Sequence, residues 1–380
     1  MKLVMILTAF VLLSPFSRAR AAVLDPNMPY MAARSNPVSY AVDFSIVVTP
    51  PYHTKVLKVW LPLPQSDAGQ EVSKSRLSTF PVKVTPRIGT EKRFGNKFAY
   101  FEFHAPRGGQ VIRHRFTIKV WELHWNIKAD KVVTVNTWPK SFDRYRQSDS
   151  QAVVVDSRFT NLLGQIVPER GSPLHDLSEV MNWVIENFKY DHTDASLQAS
   201  SVFALTKRHG HCSDYHSFCA SMGRALGYPT RVTYGIAATP KNSPSHCKLE
   251  AYLPPYGWVS FDISETQKLL AAIHEDTHLD ARDKNQLTKR AIDRLTAGFR
   301  ENTWFLQTKG TDYDLEPPAS RRVAVVRTAY IEADGERLPE PDPANKNKRE
   351  FSWMTVQQYV PDRPVTNPMK DLRSLGAVAE

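Results

Sequence analysis

Hydrophobic residues alternate with polar or small residues in the first third of the chain. Every second residue from Val38 to Val48 is apolar or aromatic. The same period of two returns in three further segments, 56–61, 98–103 and 116–120. A period of two places the apolar side chains on one face of a strand, and proline and glycine pairs separate the runs. The pattern predicts an antiparallel β-sandwich over residues 36–150.

The middle third changes to the spacing of helices. Ser172 and Pro173 precede an apolar stripe, as an N-cap and a first-turn proline do. A shorter helix is expected from Ser200 through residue 205. A third helix is expected from Cys212 to Leu226, because apolar residues recur there every three or four positions and Gly227 follows.

The last third carries mixed signals. Many charges surround a few apolar positions in 271–300, which predicts one surface helix there. Strands are expected in three segments, 302–315, 321–331 and 351–360. The proline-rich, charged segment 338–349 predicts a loop, and the last twenty residues are expected to trail. The pattern as a whole indicates an α+β protein with a core over 151–335, in which helices pack on an antiparallel sheet, and a loop, a strand and a tail over 336–380.

The start of the chain has the features of a secretory leader. Lys2 precedes an apolar run from Leu3 to Leu13, and Ala19-Arg20-Ala21 forms a small-x-small cleavage site. The apolar run is too short to span a bilayer, although a membrane anchor is the alternative interpretation. Residues 1–21 are therefore expected to be a signal peptide. The mature chain is expected to be secreted or periplasmic, without stable insertion in a membrane.

The chain has a formal charge of +10, which raises the question of an anionic partner. Its basic residues are scattered, and the densest group is Lys346-Asn-Lys-Arg349. Scattered charges are typical of a solvated surface. No nucleic-acid partner is expected.

A cysteine at the start of a predicted helix is the first candidate for chemistry. Cys212 follows the flexible Gly210, and the backbone N–H groups and dipole at a helix N-terminus favour a thiolate. His246 and Asp262 follow in two extended segments joined by a proline and glycine turn. The two can meet on one face if the strands bend near Pro254, because a one-residue change of register would separate them.

Several motifs around these residues resemble the transglutaminase-like superfamily of papain-type cysteine enzymes. The resemblance spans roughly 172–264. Its motifs are Gly210-x-Cys212-x-Asp214-Tyr215, Gly227-x-Pro229-x-Arg231, and His246 followed by Gly257-Trp258 and Asp262. It implies Cys212 as the nucleophile, His246 as the general base and acid, and Asp262 as the carboxylate that fixes the imidazole tautomer.

Two residues depart from the family pattern. Cys247 and Lys248 stand where the family usually has Ala-Trp after the catalytic histidine. We expect Lys248 at the rim of an open, wet cleft, and Cys247 on the face away from the site because successive strand residues alternate. A disulfide between Cys219 and Cys247 is disfavoured, and both are interpreted as small buried hydrophobic residues.

Smaller roles are expected for the neighbours of these residues. Asp214 is expected to stabilise the helix N-terminus, and Arg231 to hold a buried carboxylate. His209 and His211 are given no catalytic role. No metal or cofactor is expected, because the cysteines and histidines lack ligand spacing.

The resemblance implies acyl transfer through a thioester. The expected activity is hydrolysis of a peptide or carboxamide bond, with a protein, peptide or cell-wall-type amide as the substrate. The alternatives are a transglutaminase that cross-links glutamine to primary amines and a binding module without activity.

Overall fold

Three antiparallel sheets, one short parallel strand pair and six α-helices form the regular structure of the part of the chain that the structure describes. A computed structural model describes residues 24–239, 245–340 and 352–376. The leader expected over 1–21 lies outside them. The mixture of antiparallel sheets with helices confirms the α+β class expected from the sequence.

Strands open the described chain, helices dominate its middle, and short strands close it. The strands are β1 (Ala33–Val48), β2 (Val56–Leu63), β3 (Gln70–Phe80), β4 (Arg87–Thr90), β5 (Lys97–His104), β6 (Gln110–His124), β7 (Lys189–Tyr190), β8 (His209–Gly210), β9 (Thr230–Ala237), β10 (Ser245–Tyr252), β11 (Trp258–Phe261), β12 (Phe299–Arg300), β13 (Trp304–Lys309), β14 (Tyr330–Ala333), β15 (Glu336–Arg337) and β16 (Trp353–Pro361). The helices are α1 (Ser157–Ile166), α2 (Pro173–Asn187), α3 (Ser201–Lys207), α4 (Cys212–Ala225), α5 (Ile263–Glu275) and α6 (Ala281–Ala297). Short 3-10 helices lie at Ala129–Lys131, Lys140–Tyr145 and Leu372–Leu375.

Two five-stranded sheets form the sandwich. One has the order β12-β6-β1-β16, with β3 also pairing with β6, and the other has the order β15-β14-β2-β5-β4. The apolar residues of β1 alternate with exposed ones and share a core with β2, β5 and β6. Strand β3 has few apolar residues and is mostly exposed, so no alternation marks it in the sequence. Strands β14, β15 and β16 return to these two sheets after the helical core.

A four-stranded sheet of order β11-β10-β9-β13 carries the helical core. Helix α4 packs against β9 and β10, and nearly all of its residues are buried. The Ser172 hydroxyl accepts a hydrogen bond from the His175 N–H, which confirms the cap expected for α2. Ser200 caps α3 in the same way. The sheet and α4 together position the candidate residues.

The prediction of a single helix over 271–300 is wrong. Helix α5 begins much earlier, and the chain breaks between Asp276 and Asp280 before α6 starts. The Asp280 carboxylate accepts a hydrogen bond from the Asp283 N–H at 2.8 Å, so a new helix starts there with its own cap. The tail does not simply trail either, because Met369 is buried and Arg294 donates to the Pro368 carbonyl.

Arg231 lies on β9 and holds a buried carboxylate, as expected. Its Nε donates to Glu250 Oε2 at 2.7 Å, and the Tyr30 hydroxyl donates to Glu250 Oε1 at 2.7 Å. Removing one partner of a buried ion pair leaves an uncompensated charge. Arg231→Met is therefore expected to lower the free energy of unfolding by about 3–5 kcal/mol, measured by urea denaturation.

Arg113→Met is the matched control for this prediction. Arg113 pairs with Asp43 on the exposed surface of the sandwich, where solvent screens the interaction. Its loss should barely change stability. Equal losses in the two variants would contradict a structural role for the buried pair.

Candidate active site

The first turn of α4 presents the cysteine. Cys212 is the first residue of the helix, and the Asp214 carboxylate accepts a hydrogen bond from the His211 N–H at 3.1 Å. This bond confirms that Asp214 stabilises the helix N-terminus. Gly210 has a φ of +146°, and a Cβ there would lie 2.6 Å from Asp214 Oδ2. The tight approach before the helix therefore requires glycine.

His246 and Asp262 meet across the end of a strand pair. His246 Nε2 lies 2.7 Å from Asp262 Oδ2. In the ladder between β10 and β11, Leu249 pairs with Phe261 and Tyr252 with Trp258. Continued by one residue, this register sets Asp262 opposite Lys248 and diagonal to His246, on the same face. The shared face agrees with the sequence prediction, and the bend is centred one residue later than Pro254.

The surroundings of Cys212 favour its thiolate. Burial opposes ionisation, but a hydrogen bond from Cys247 and the charges of His211 and His246 outweigh it. The pKa of Cys212 therefore lies well below its usual value. Burial raises the pKa of Cys219 and that of Cys247 above the usual range, so these two remain thiols. Of the three cysteines, Cys212 alone has surroundings that favour the thiolate.

Cys247 faces the site, which makes its expected orientation wrong. Its Sγ lies 3.5 Å from His216 Nδ1, one turn along α4 from Cys212, and it hydrogen-bonds to Cys212. Cys247 lies inside the ladder between β10 and β9, opposite Tyr234. Helix α4 packs against β10, and Cys247 contacts His216 of that helix, so the face that Cys247 presents is the one that α4 covers. Cys219, in contrast, is a buried thiol as expected.

Lys248 is buried, so the expectation that it lines the rim of an open cleft is wrong. Its Nζ donates to Asp262 Oδ2 at 2.5 Å and to Glu301 Oε1 at 2.9 Å. Burial alone would lower the pKa of Lys248, but the two carboxylates raise it above its usual value and keep the ammonium charged. No sequence pattern indicates this pairing, because Glu301 is distant in the chain.

His211 and Tyr190 also reach the cysteine. His211 Nδ1 lies 3.1 Å from Cys212 Sγ. Tyr190 lies on β7, which pairs with β8 beside Gly210, and its hydroxyl interacts with the Cys212 backbone N–H. Burial raises the pKa of Tyr190 well above its usual value, so the hydroxyl keeps its proton. Sequence patterns assigned no role to either residue, although His211 adjoins the cysteine.

The described chain offers no obvious metal site. In residues 24–239, 245–340 and 352–376, no three histidine, cysteine, aspartate or glutamate side chains form a group that could hold a metal ion. Within the same ranges, no helix is both long and apolar enough to cross a membrane.

A buried cysteine at a helix N-terminus, beside an imidazole that is hydrogen-bonded to a carboxylate, defines a papain-like class of site. Residues 160–263 match the family model of the transglutaminase-like superfamily. The matched segment runs from α1 to the start of α5 and contains Cys212, His246 and Asp262, so this part of the chain is similar to a transglutaminase-like core.

The similar proteins align over different shares of the chain. An uncharacterised protein of Haemophilus influenzae is 24% identical over 222 residues, which are 51% of this chain and 56% of the relative. The chain therefore spans little more than half the length of that relative. A proposed cysteine protease from Cytophaga hutchinsonii aligns with a TM-score of 0.58 and 14% identity, over 88% of this chain and 94% of that one. The periplasmic domain of TgpA from Pseudomonas aeruginosa aligns with a TM-score of 0.33 and 14% identity, over 63% of this chain and 92% of that one.

Proposed function

We propose that this protein is an exported cysteine hydrolase that cleaves peptide or carboxamide bonds through Cys212, His246 and Asp262. The observation that carries the proposal is the 2.7 Å contact between His246 Nε2 and Asp262 Oδ2, beside a cysteine whose thiolate is favoured. A carboxylate on Nε2 leaves Nδ1 as the imidazole atom that exchanges a proton with the substrate. His211 has no comparable carboxylate contact on its ring among the described residues.

The first half of the reaction forms a thioester. The Cys212 thiolate attacks the carbonyl carbon, and the carbonyl electrons move onto the oxygen. The His246 imidazolium then gives its proton to the departing nitrogen as the C–N bond breaks, which releases an amine or ammonia. Asp262 stabilises the imidazolium throughout and is not itself protonated.

The second half releases the acid. His246, now neutral, takes a proton from water as the water oxygen attacks the thioester carbon. The carbon–sulfur bond breaks, and Cys212 leaves as a thiolate. We assign the Cys212 N–H and the Tyr190 hydroxyl, which contact each other, as the two donors to the transient oxyanion.

Tyr190→Phe tests the second donor. The change removes the hydroxyl and keeps the ring that packs against Tyr215 and His211. We expect kcat to fall by about 10²–10³-fold with little change in KM, measured by steady-state hydrolysis. Tyr228→Phe, which removes a hydroxyl that bonds to Arg170 and Asp176 outside the site, is the control. A similar loss in both variants would remove Tyr190 from the mechanism.

Transfer to an amine is a second candidate, and burial of the site favours it. Cys212 and His246 are each 2% exposed, and Asp262 is 3% exposed. An amine competes with water if the protein binds it and shields the thioester, and a buried site supplies shielding. Hydrolysis remains our first choice, because transfer needs a binding site for the acceptor in addition to the three catalytic residues.

One incubation separates the two reactions. The protein, without residues 1–21, is mixed with a glutamine-containing protein and a labelled primary amine, and mass spectrometry follows released acid and incorporated label. We expect released acid to exceed incorporated label at millimolar amine. Faster incorporation that disappears in Cys212→Ala would make the protein a transglutaminase. Absence of both products and of any thiolate reactivity would favour a binding module.

Export rests on the leader interpretation of residues 1–21. N-terminal sequencing of the protein purified from the periplasm or medium of its host is expected to begin at Ala22. A protein that keeps residues 1–21 and sediments with membranes would support the anchor instead.

A further inference from the structure

A buried cation lies inside the candidate site. The Lys248 ammonium contacts Asp262 Oδ2 and both oxygens of Glu301, at 2.9 Å from Oε1 and 2.8 Å from Oε2. The Lys248 side chain is fully buried and lies 5.2 Å from the centre of the Trp304 ring. A buried ammonium is stable only with good partners, and two carboxylates provide them.

Asp262 is held at both of its oxygens. Oδ2 accepts from His246 Nε2 and from Lys248 Nζ, while Oδ1 accepts from the Glu265 N–H at 3.1 Å. Rotation of the carboxylate would break bonds on both sides. His246 and Lys248 are the two donors to Oδ2. Removal of Lys248 would leave His246 alone to hold that oxygen.

We infer that Lys248, held in place by Glu301, is a positioning residue for the His246–Asp262 pair, and this inference rests on the function proposed above. The ammonium and the imidazole share one carboxylate oxygen, so Lys248 opposes a positive charge on His246. Glu301 has the opposite effect, because its negative charge offsets the ammonium. The pair therefore fixes the direction of Asp262 and sets how strongly His246 holds its proton.

Other charged or titratable groups face His246, Asp262 or the cysteines beside them from the elements packed around the site. They are Tyr190 from β7, Cys212, His211 and His216 from α4 and its cap, Cys247 from β10, Tyr234 from β9, Glu265 from α5, Arg294 from α6, and Arg327 before β14. All of them remain in the variants below. A change in proton affinity between the variants thus reports on Lys248 and Glu301.

The test compares the pH dependence of kcat/KM in Lys248→Met and Glu301→Gln. In a thiolate–imidazolium pair, the alkaline limb of the profile marks the loss of the imidazole proton. Removing the ammonium should move this limb up by about one pH unit, and removing the second carboxylate should move it down by about one pH unit. Lys248→Met should also lower kcat/KM at the optimum by about 10–100-fold, because Asp262 loses its orientation.

Glu250→Gln is the matched control. Glu250 is a buried carboxylate on the same strand, two residues beyond Lys248, and it pairs with Arg231. Its loss should destabilise the fold and leave the alkaline limb in place. If Lys248→Met does not fold, the double variant Lys248→Met/Glu301→Gln removes both charges. The pH of its alkaline limb should lie closer to the wild-type value than the pH of the alkaline limb of Glu301→Gln does.

An NMR titration of the His246 imidazole in the same isotopically labelled variants gives a readout that needs no substrate. If the wild type hydrolyses no amide, the proposed function fails while this titration still decides the role of Lys248. Opposite shifts in the two single variants support the inference. Shifts in one direction, or shifts no larger than that of Glu250→Gln, overturn it.

Discussion

Cys212→Ala is expected to lower kcat by about 10⁵-fold or more, because it removes the atom that forms the thioester. The alanine fits the first turn of α4 and leaves the Asp214 contact with the His211 N–H in place. Stability should therefore change little, and the loss should appear in kcat under conditions where the variant is fully folded. Steady-state assays beside a thermal melt separate the two effects.

Labelling with iodoacetamide provides a second measurement on the candidate nucleophile. The thiolate reacts with iodoacetamide, and the pKa of Cys212 lies below its usual value, so labelling should persist at mildly acidic pH. Cys219→Ala should keep both labelling and turnover, because Cys219 is a buried thiol whose pKa burial raises. Equal labelling of all three cysteines in the folded wild type would contradict an activated nucleophile.

Asp262→Asn is expected to lower kcat by about 10⁴-fold. An asparagine cannot stabilise the imidazolium as a carboxylate does, and it favours the wrong tautomer of His246. The amide oxygen can still accept from the Glu265 N–H, so the cap of α5 survives. The expected loss is therefore catalytic, and it is measured as kcat across the pH range.

Asp280→Asn is a closely matched control. Asp280 caps α6 as Asp262 caps α5, through a hydrogen bond from the residue three positions on, but it is exposed and outside the site. Its replacement should leave kcat near the wild-type value. A small effect of Asp262→Asn would point to His211, whose Nδ1 lies 3.1 Å from Cys212 Sγ, as the base instead.

Local patterns in the sequence were sufficient to predict several helices and strands and the position of Cys212 at the start of a helix. Ser172 and Ser200 cap the helices that their positions predicted, because a cap depends on residues three positions apart. Alternation from Val38 to Val48 predicted the buried face of β1 over those residues. The start of α4 at Cys212 follows from Gly210 and the apolar spacing that comes after it.

The sequence did not predict the contacts between distant segments. The return of β14 and β16 to the N-terminal sheets depends on which strand edges are left to pair, and alternation within a strand does not specify its neighbours. The break between α5 and α6 was missed because the charged surface of α6 hides the start of a second helix at Asp280.

The sequence by itself determined the order of Cys212, His246 and Asp262, and it restricted a shared face for the last two to an even register of their strands, since parity decides the face of a strand residue. The structure supplies that even register between β10 and β11. Only the tertiary structure decided the surroundings of these residues. Lys248 is buried because Glu301, fifty-three positions away, supplies a second carboxylate, and Cys247 reaches Cys212 because α4 packs against β10. Charge pairing and packing at that range leave no periodic trace in the chain.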